Sequence, residues 1–216
     1  MDRRAFLSLT NGRTLAVAAA TAADQALDVQ VLQTAASVEY AMIGAYETML
    51  GLALFTSNSA NPVLKNLLTT ARAQHTEHAG AYNAIATALG GKAQTGANSN
   101  LAQAVTRAKA GLTDIGPAVE LALLLESTAA QTFQNDLGLL TDVNARRLTG
   151  SVLAVESQHV GLLLIAKALL GARALELVSL EAGTRDKLPA DAAKAGFPVS
   201  IAKTDQARPS SEGAVK

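Results

Sequence analysis

The sequence predicts an all-α fold, a bundle of four long helices. Alanine and leucine, which favour helices, are abundant, whereas aromatic residues make up only 3% of the chain and β-branched runs are few. Apolar residues recur at alternating steps of four and three along four stretches, which is the spacing of the buried seam of a bundle helix. With 216 residues, 49% of them hydrophobic, the chain can bury a substantial core.

The composition excludes several classes of function. Lysine plus arginine and aspartate plus glutamate number 18 each, so no nucleic-acid partner is expected. The absence of cysteine excludes disulfides, zinc–thiolate sites and thiol nucleophiles. The sequence also has no P-loop, no Gly-x-Gly-x-x-Gly after a strand and no Gly-x-Ser-x-Gly elbow, which are the commonest signatures of nucleotide binding and of serine hydrolysis.

The N-terminus predicts export from the cytoplasm. Arg3-Arg4 precede Phe6-Leu7 and an apolar stretch of small residues from Leu15 to Ala23, which resembles a twin-arginine export signal. The alternative is the basic start of a helix. Lys167 interrupts the longest other apolar run, so we expect no membrane span in the mature chain, and a periplasmic or cell-envelope location.

The first two helices are predicted before the long central connection. The first runs from Asp24 or Asp28 to about Phe55, and the second starts at Pro62, capped by Asn61, and ends at Gly90-Gly91. The first seam contains Leu32, Ala36, Glu39, Ile43, Tyr46 and Leu50, and the second contains Leu64, Leu68, Ala71, His75, His78, Tyr82, Ile85 and Leu89.

A long connection, 92–116, with a short helix at 101–110, separates these helices from the last two. The third helix is predicted from Pro117, and the fourth from Asp142 as cap to Gly171. A long connection between two short ones indicates two antiparallel pairs joined by a crossover. The seams contain Val119, Leu123, Glu126, Ala130, Phe133 and Leu137, then Val152, Glu156, His159, Leu163, Ala166 and Leu170.

The predicted organisation is an export signal at 1–23, a bundle at 24–180 and an irregular tail at 181–216. Phe197, Val199 and Ile201 are candidates to hold part of the tail against the bundle. A homo-oligomer or an envelope protein partner is left open.

Ionisable residues interrupt the otherwise apolar seams of all four helices. Every histidine of the chain is among them, and each histidine lies three residues from another potential ligand, so the pairs share a helix face. Burying a carboxylate is costly unless it is paired, protonated or bound to a metal. The pattern therefore predicts a metal site formed by Glu39, His75, His78, Glu126, Glu156 and His159.

This set resembles the ferritin-like superfamily of di-metal carboxylate four-helix bundles, and in particular the exported bacterial ferritin-like proteins. That family supplies single glutamates from two helices, matched by Glu39 and Glu126, and a Glu-x-x-His pair from each of the other two. Glu156 and His159 match one pair in full. His78 matches the histidine of the second pair, but His75 stands where the family has glutamate.

The substitution at His75 leaves three carboxylates for two divalent ions, one negative charge too few. A bridging hydroxide or oxide, a single ion, or recruitment of the nearby Glu77 would each restore the balance. Imidazole in place of carboxylate also favours iron, zinc or copper, although manganese is not excluded.

The resemblance implies two divalent metal ions, with iron the first expectation, and chemistry on oxygen, peroxide or ferrous iron. Two other readings are open: a non-enzymatic protein that holds metal in the envelope, and a metal-free structural bundle that docks a partner. Tyr46 and Tyr82 are expected as hydrogen-bond partners of the ligands, and Gln74, Gln131 and Gln158 as flanking hydrogen-bond partners or surface residues.

Overall fold

The computed structural model describes residues 21–57, 62–174 and 204–215. Six α-helices and one short 3-10 helix cover most of these residues: α1 (Ala22–Leu50), α2 (Ala53–Thr56), α3 (Pro62–Ala88), α4 (Ser99–Ala108), the 3-10 helix (Lys109–Gly111), α5 (Ile115–Leu139) and α6 (Val143–Gly171). The described part of the chain contains no strand, so the predicted all-α class is confirmed.

The four long helices form two antiparallel pairs. α1 packs on α3, where Gln25 near the start of α1 donates to the carbonyl of Leu89 just after α3. α5 packs on α6, where Glu120 near the start of α5 pairs with Lys167 near the end of α6. The connection between the pairs carries α4, which packs on α1 and α5. This arrangement is the predicted bundle with a long crossover.

Local capping explains where the helices begin and end. The Thr21 side chain accepts from the Asp24 backbone, and the Asp24 carboxylate accepts from Thr21, which forms a capping box on α1. The Asp142 side chain accepts from Ala145 at the start of α6, as predicted. Gly90, after α3, has a φ of 85°, a conformation that glycine adopts without strain.

Several helix boundaries differ from the predictions. α1 begins at Ala22 rather than at Asp24 or Asp28, because Thr21 is its cap. The first helix does not continue to Phe55, because Leu52 is extended, with a ψ of 148°, and separates α1 from α2. α5 begins at Ile115 rather than at Pro117, because the Asp114 side chain caps the backbone N–H of Gly116. The short helix of the connection begins two residues earlier than predicted, at Ser99, where Asn98 is the cap.

The predicted seam of α5 is also rotated from the observed one. Leu123, Ala130 and Leu137 are only partly buried, whereas Leu125 and Asp136 are fully buried. Two faces of α5 are covered, one by α6 and one by α1, so the strict alternation of four and three describes only part of its core surface.

A buried carboxylate on α1 fixes the start of α6. The Asp28 carboxylate accepts hydrogen bonds from the backbone N–H groups of Thr141 and Asp142 and from the Thr141 hydroxyl, each at 2.8 Å. These donors precede the first turn of α6, where no helical carbonyl is available to accept. Asp28 therefore joins the two helix pairs at one end of the bundle.

Within the described residues, α6 is the one helix whose length and apolar composition would allow it to span a membrane. Core helices of soluble proteins pass the same test, and α6 carries the buried Glu156 and His159 and packs on α5. Its outer face exposes Leu162 and Ile165. The expectation that the mature chain has no membrane span stays a prediction.

The segment 204–215 binds along the bundle as a C-terminal strap. Thr34 on α1 donates to the carbonyl of Ser210 at 2.7 Å and accepts from the N–H of Gly213 at 2.9 Å. Gln94 of the crossover donates to the carbonyl of Gly213, and Thr132 on α5 accepts from the N–H of Arg208. The predicted anchors Phe197, Val199 and Ile201, the cap Asn61 and the predicted export signal up to residue 20 lie outside the described residues.

A second polar layer lies two helical turns from the predicted metal ligands. Tyr82 follows His75 by seven residues and Thr149 precedes Glu156 by seven, and both are buried with Asp136 of α5. Both Asp136 carboxylate oxygens and the Tyr82 and Thr149 hydroxyls lack a hydrogen-bond partner among the described residues. Burial raises the pKa of Asp136 to about 8, so the carboxyl group is largely protonated at neutral pH.

Replacing Gly213 by alanine should detach the strap. A Cβ atom at this position would lie 2.5 Å from the Ser37 hydroxyl oxygen and 2.7 Å from the Cα of Thr34. The Thr34 Cα belongs to the backbone of α1, so it cannot move aside as the end of a flexible side chain would. We expect a loss of about 1–3 kcal/mol in the free energy of unfolding, as for other overpacked sites. Hydrogen exchange of the Gly213 and Val215 amides should become much faster. Gly138→Ala is the control, because its Cβ would meet nothing within 4 Å.

Asp136→Asn should make the free energy of unfolding less dependent on pH. The folded-state pKa of about 8 exceeds the ordinary value of 3.8, so the folded protein binds the extra proton between these limits. The contribution of the Asp136 carboxyl group to the free energy of unfolding is therefore fully present below about pH 4, and it is lost as the pH rises through 8. The asparagine variant should be more stable than the parent at pH 8, and similar at pH 4, in urea titrations. Equal pH dependence in both proteins would contradict the assignment; Asp205→Asn, at an exposed position, is the control.

Candidate metal centre

The bundle brings all six predicted ligand residues together near its middle. α1 contributes Glu39, α3 His75 and His78, α5 Glu126, and α6 Glu156 and His159. The three glutamates and His75 have no exposed surface, and His159 is also buried. Their potential ligand atoms form two groups, each within 4.8 Å: Glu39, His75, His78 and Glu156 in the first, and His75, Glu126, Glu156 and His159 in the second.

The first group surrounds the Nδ1 atoms of two histidines. Nδ1 of His75 lies 2.7 Å from Oε2 of Glu39, and Nδ1 of His78 lies 3.3 Å from Oε1 of the same carboxylate. Oε1 of Glu156 completes the group at 3.1 Å from Nδ1 of His78. Atoms bound to one divalent ion at about 2.0–2.2 Å lie about 3 Å apart, so these separations fit a shared ion.

The second group lies on the other side of the His75 ring. Nε2 of His75 is 3.2 Å from Oε1 of Glu126, whose Oε2 is 3.3 Å from Nδ1 of His159. Oε2 of Glu156 is 3.7 Å from the same His159 nitrogen. His75 and Glu156 are therefore shared by both groups, each with one atom facing each group.

Several ligand atoms are buried without a hydrogen bond, which tests whether the site fits a metal. Oε1 of Glu39, Nδ1 of His78 and both carboxylate oxygens of Glu156 have no hydrogen-bond partner in the described structure. An unsatisfied buried polar atom costs about 1–3 kcal/mol, and these four atoms all belong to the predicted ligands. Their oxygen and imidazole donors match the preferences of iron, manganese and zinc, so the residues present fit divalent ions.

Two side chains orient the ligands from outside the groups. The Tyr46 hydroxyl donates to Oε1 of Glu126, and the Oε1 atom of Gln74 lies 2.7 Å from Nε2 of His159. Because Gln74 accepts at Nε2, the Nδ1 atom of His159 is left to face the carboxylates. The predicted role of Tyr46 is confirmed, whereas Tyr82 makes no hydrogen bond with a ligand.

The carboxylates raise the pKa values of all three histidines. Burial alone would lower the pKa of His78, but the close carboxylates of Glu156 and Glu39 raise it to about 9. Burial is likewise outweighed at His159, where Glu126 and Glu156 raise the pKa to about 9. The pKa of His75 rises for the same reason, chiefly through the charge of Glu126. Protons are therefore the competitors of a metal ion at this site.

The carboxylates differ from one another. Burial and the negative charges of Glu126 and Glu39 raise the pKa of Glu156 to about 7. Burial acts in the same sense on Glu126, but the charge of His75 and hydrogen bonds from His159 and His75 hold its pKa well below the usual range. The charge of Glu126 adds to burial in raising the pKa of Tyr46, so this tyrosine stays a hydrogen-bond donor.

A groove between α3 and α6 reaches the centre at His159. Its volume is about 480 Å³, and its lining includes His159 and Gln74 at one side and Val63, Leu67 and Leu162 as apolar walls. Among the described residues, none that lines the groove carries a carboxylate. The groove gives a small molecule a route to one ligand of the second group.

The sequence left the role of Gln74 open between two alternatives and did not single out Asp136, which is buried in the second polar layer. Gln74 was expected as a flanking hydrogen-bond partner or a surface residue, and the structure shows that it is the hydrogen-bond partner of His159. Asp136 was not selected, although its spacing of three from Phe133 on the seam is a signal for a buried position. Glu77, considered as a replacement carboxylate, is exposed on α3 and belongs to neither ligand group.

A model of the ferritin-like domain family matches residues 27–181, which is well over half of the chain. No protein with curated annotation and no solved structure matches the chain significantly. The matched residues include all six potential ligands and all four long helices from residue 27 onward. The chain therefore belongs to the ferritin-like domain family.

Proposed function

We propose that this protein binds two divalent metal ions, iron in the first place, and that it acts on oxygen, peroxide or ferrous iron in the cell envelope. The observation that carries the proposal is the set of unsatisfied ligand atoms of Glu39, His78 and Glu156, which converge inside the bundle and have almost no exposed surface. Bound iron would supply one-electron redox chemistry at this position.

The chain's own residues have separable tasks in this function. Glu39 with His78, and Glu126 with His159, would hold an ion on either side of His75, and Glu156 faces both positions. Tyr46 fixes the Glu126 carboxylate, and Gln74 fixes the His159 ring. The groove admits a small molecule at the His159 side, while the apolar surroundings exclude most water.

A second candidate function is a metal-free structural bundle. His75 lies within hydrogen-bonding distance of both Glu39 and Glu126, at 2.7 and 3.2 Å, so a protonated ring satisfies two carboxylates without an ion. The atoms of Glu156 and His78 that form no well-directed hydrogen bond favour metal binding, because buried polar atoms in a structural network are normally hydrogen-bonded. A third reading, metal binding without turnover, uses the same ligands.

We also propose that the chain is exported by a folded-protein route, supported by Arg3-Arg4 and the apolar stretch that follows. Such a route suits a cofactor that is inserted in the cytoplasm. Lysine at both arginine positions should retain the chain in the cytoplasm, as fractionation of the producing cells would reveal; unchanged export would contradict the proposal.

Metal quantification on protein from its native compartment should give two ions per chain. Glu156→Ala and His159→Ala should each lose most of this metal, because each removes a member of the candidate ligand groups. The variants should also lose the metal-dependent part of their thermal stability. Ser157→Ala, on the exposed face of the same helix, is the control. Full occupancy in both ligand variants would show that the centre lies elsewhere.

Iron-loaded protein should consume peroxide or oxygen with a change of iron valence, measured by an oxygen electrode and by iron absorbance. Thr70→Trp, which fills the groove, should slow this consumption about tenfold and leave the iron content unchanged. Thr69→Trp is the matched control, because Thr69 is exposed on the same helix and does not line the groove. Loaded protein that neither consumes the oxidant nor changes valence would instead support simple metal binding.

A further inference from the structure

His75 is the residue at which this chain departs from the glutamate expected in its family, and its ring lies between the two ligand groups. Nδ1 faces Glu39 at 2.7 Å, and Nε2 faces Glu126 at 3.2 Å. Each ring nitrogen thus belongs to a different group. The ring is fully buried, so water does not compete for either nitrogen.

We propose that His75 bridges the two metal ions, with one ion bound at each ring nitrogen. The proposal rests on the metal-binding function proposed above and specifies how the two ions are connected. The presence of His75 in place of the family's glutamate would then not cost the centre a ligand, because the imidazole would bind both ions.

The other ligands are distributed as a bridge requires. Glu39 and His78 lie on the Nδ1 side of the His75 ring, whereas Glu126 and His159 lie on the Nε2 side. Glu156 spans the two sides, with Oε1 facing Nδ1 of His78 at 3.1 Å and Oε2 facing Nδ1 of His159 at 3.7 Å. Each ion would receive two ligands of its own and would share the imidazole and a carboxylate with the other ion.

Charge balance supports the same arrangement. Two divalent ions bring four positive charges, and Glu39, Glu126 and Glu156 bring three negative ones. An imidazole that donates a lone pair from both nitrogens carries no ring proton, and it therefore supplies the fourth negative charge. The protein then needs neither an added hydroxide nor the exposed Glu77 to neutralise the buried centre.

The competing arrangement keeps both protons on the ring. In that case His75 donates to Glu39 and Glu126 and replaces an ion rather than binding one. The two arrangements differ in the atoms bonded to each His75 nitrogen, which spectroscopy can detect in protein that performs no turnover.

Nuclear magnetic resonance on the full chain, with isotope-labelled histidine and loaded with an NMR-active cadmium isotope, tests the bridge. We expect cadmium–nitrogen coupling at both ring nitrogens of His75, and at Nδ1 alone for His78 and His159. Coupling at one His75 nitrogen, or retained ring protons in protein that holds two cadmium ions, would overturn the bridge and leave the metal centre standing. Failure to bind any cadmium, zinc or iron would overturn the metal centre itself, and the bridge with it.

Two variants test the bridge by the number of zinc ions that each chain binds. His75→Gln offers one amide oxygen and cannot bind two ions, so the bound zinc should fall from two ions to one per chain. His75→Glu supplies the family's carboxylate and should keep two ions. Circular dichroism checks that both variants fold. Two zinc ions retained in a folded glutamine variant would contradict the bridge.

Discussion

The burial of three carboxylates and three imidazoles in one layer of an apolar bundle is the constraint on which the rest of the structure depends. An isolated buried charge costs several kcal/mol, so these groups are tolerable only together. Hydrogen bonds and charge pairs among them meet part of this cost, as the raised pKa values of His78 and His159 indicate. Four of the ligand atoms have no hydrogen-bond partner within the described structure, and these atoms mark the place that is suited to a further binding partner.

The remainder of the fold keeps the four helices in register around that layer. Asp28 joins α1 to the start of α6, and Asn98 of the crossover donates its backbone N–H to the carbonyl of Ser37, near the middle of α1. The strap then closes over Thr34 on the same helix. α1 is therefore held on several sides, which fixes the height of Glu39 relative to the ligands of α3 and α6.

The sequence was sufficient to predict the helices and the six residues that converge, because helical spacing alone decides which side chains share a face. Glu156 and His159, for example, are three residues apart, and this separation predicts that they share one face of α6. The same periodicity left Gln74 as either a flanking hydrogen-bond partner or a surface residue, since its contact with His159 depends on the packing of α3 against α6. It could not predict the strap, where irregular backbone binds to Thr34 and Gln94 over more than one hundred residues of separation. Asp136 was missed because α5 buries two faces, and a single seam describes only one.

His75 affects the net charge of the buried layer in two conditions: without metal, and with two metal ions bound. If all three imidazoles are protonated and all three glutamates are ionised, the positive and negative charges of the buried layer are equal in number. A fourth carboxylate in place of His75 would leave this layer two charges negative, because two imidazolium groups would oppose four carboxylates. With two ions bound and His75 as the bridge, the layer is again neutral. Under the proposed bridge, the same residue would allow the bundle to fold before it acquires metal and to hold two ions afterwards, with protons released as metal enters.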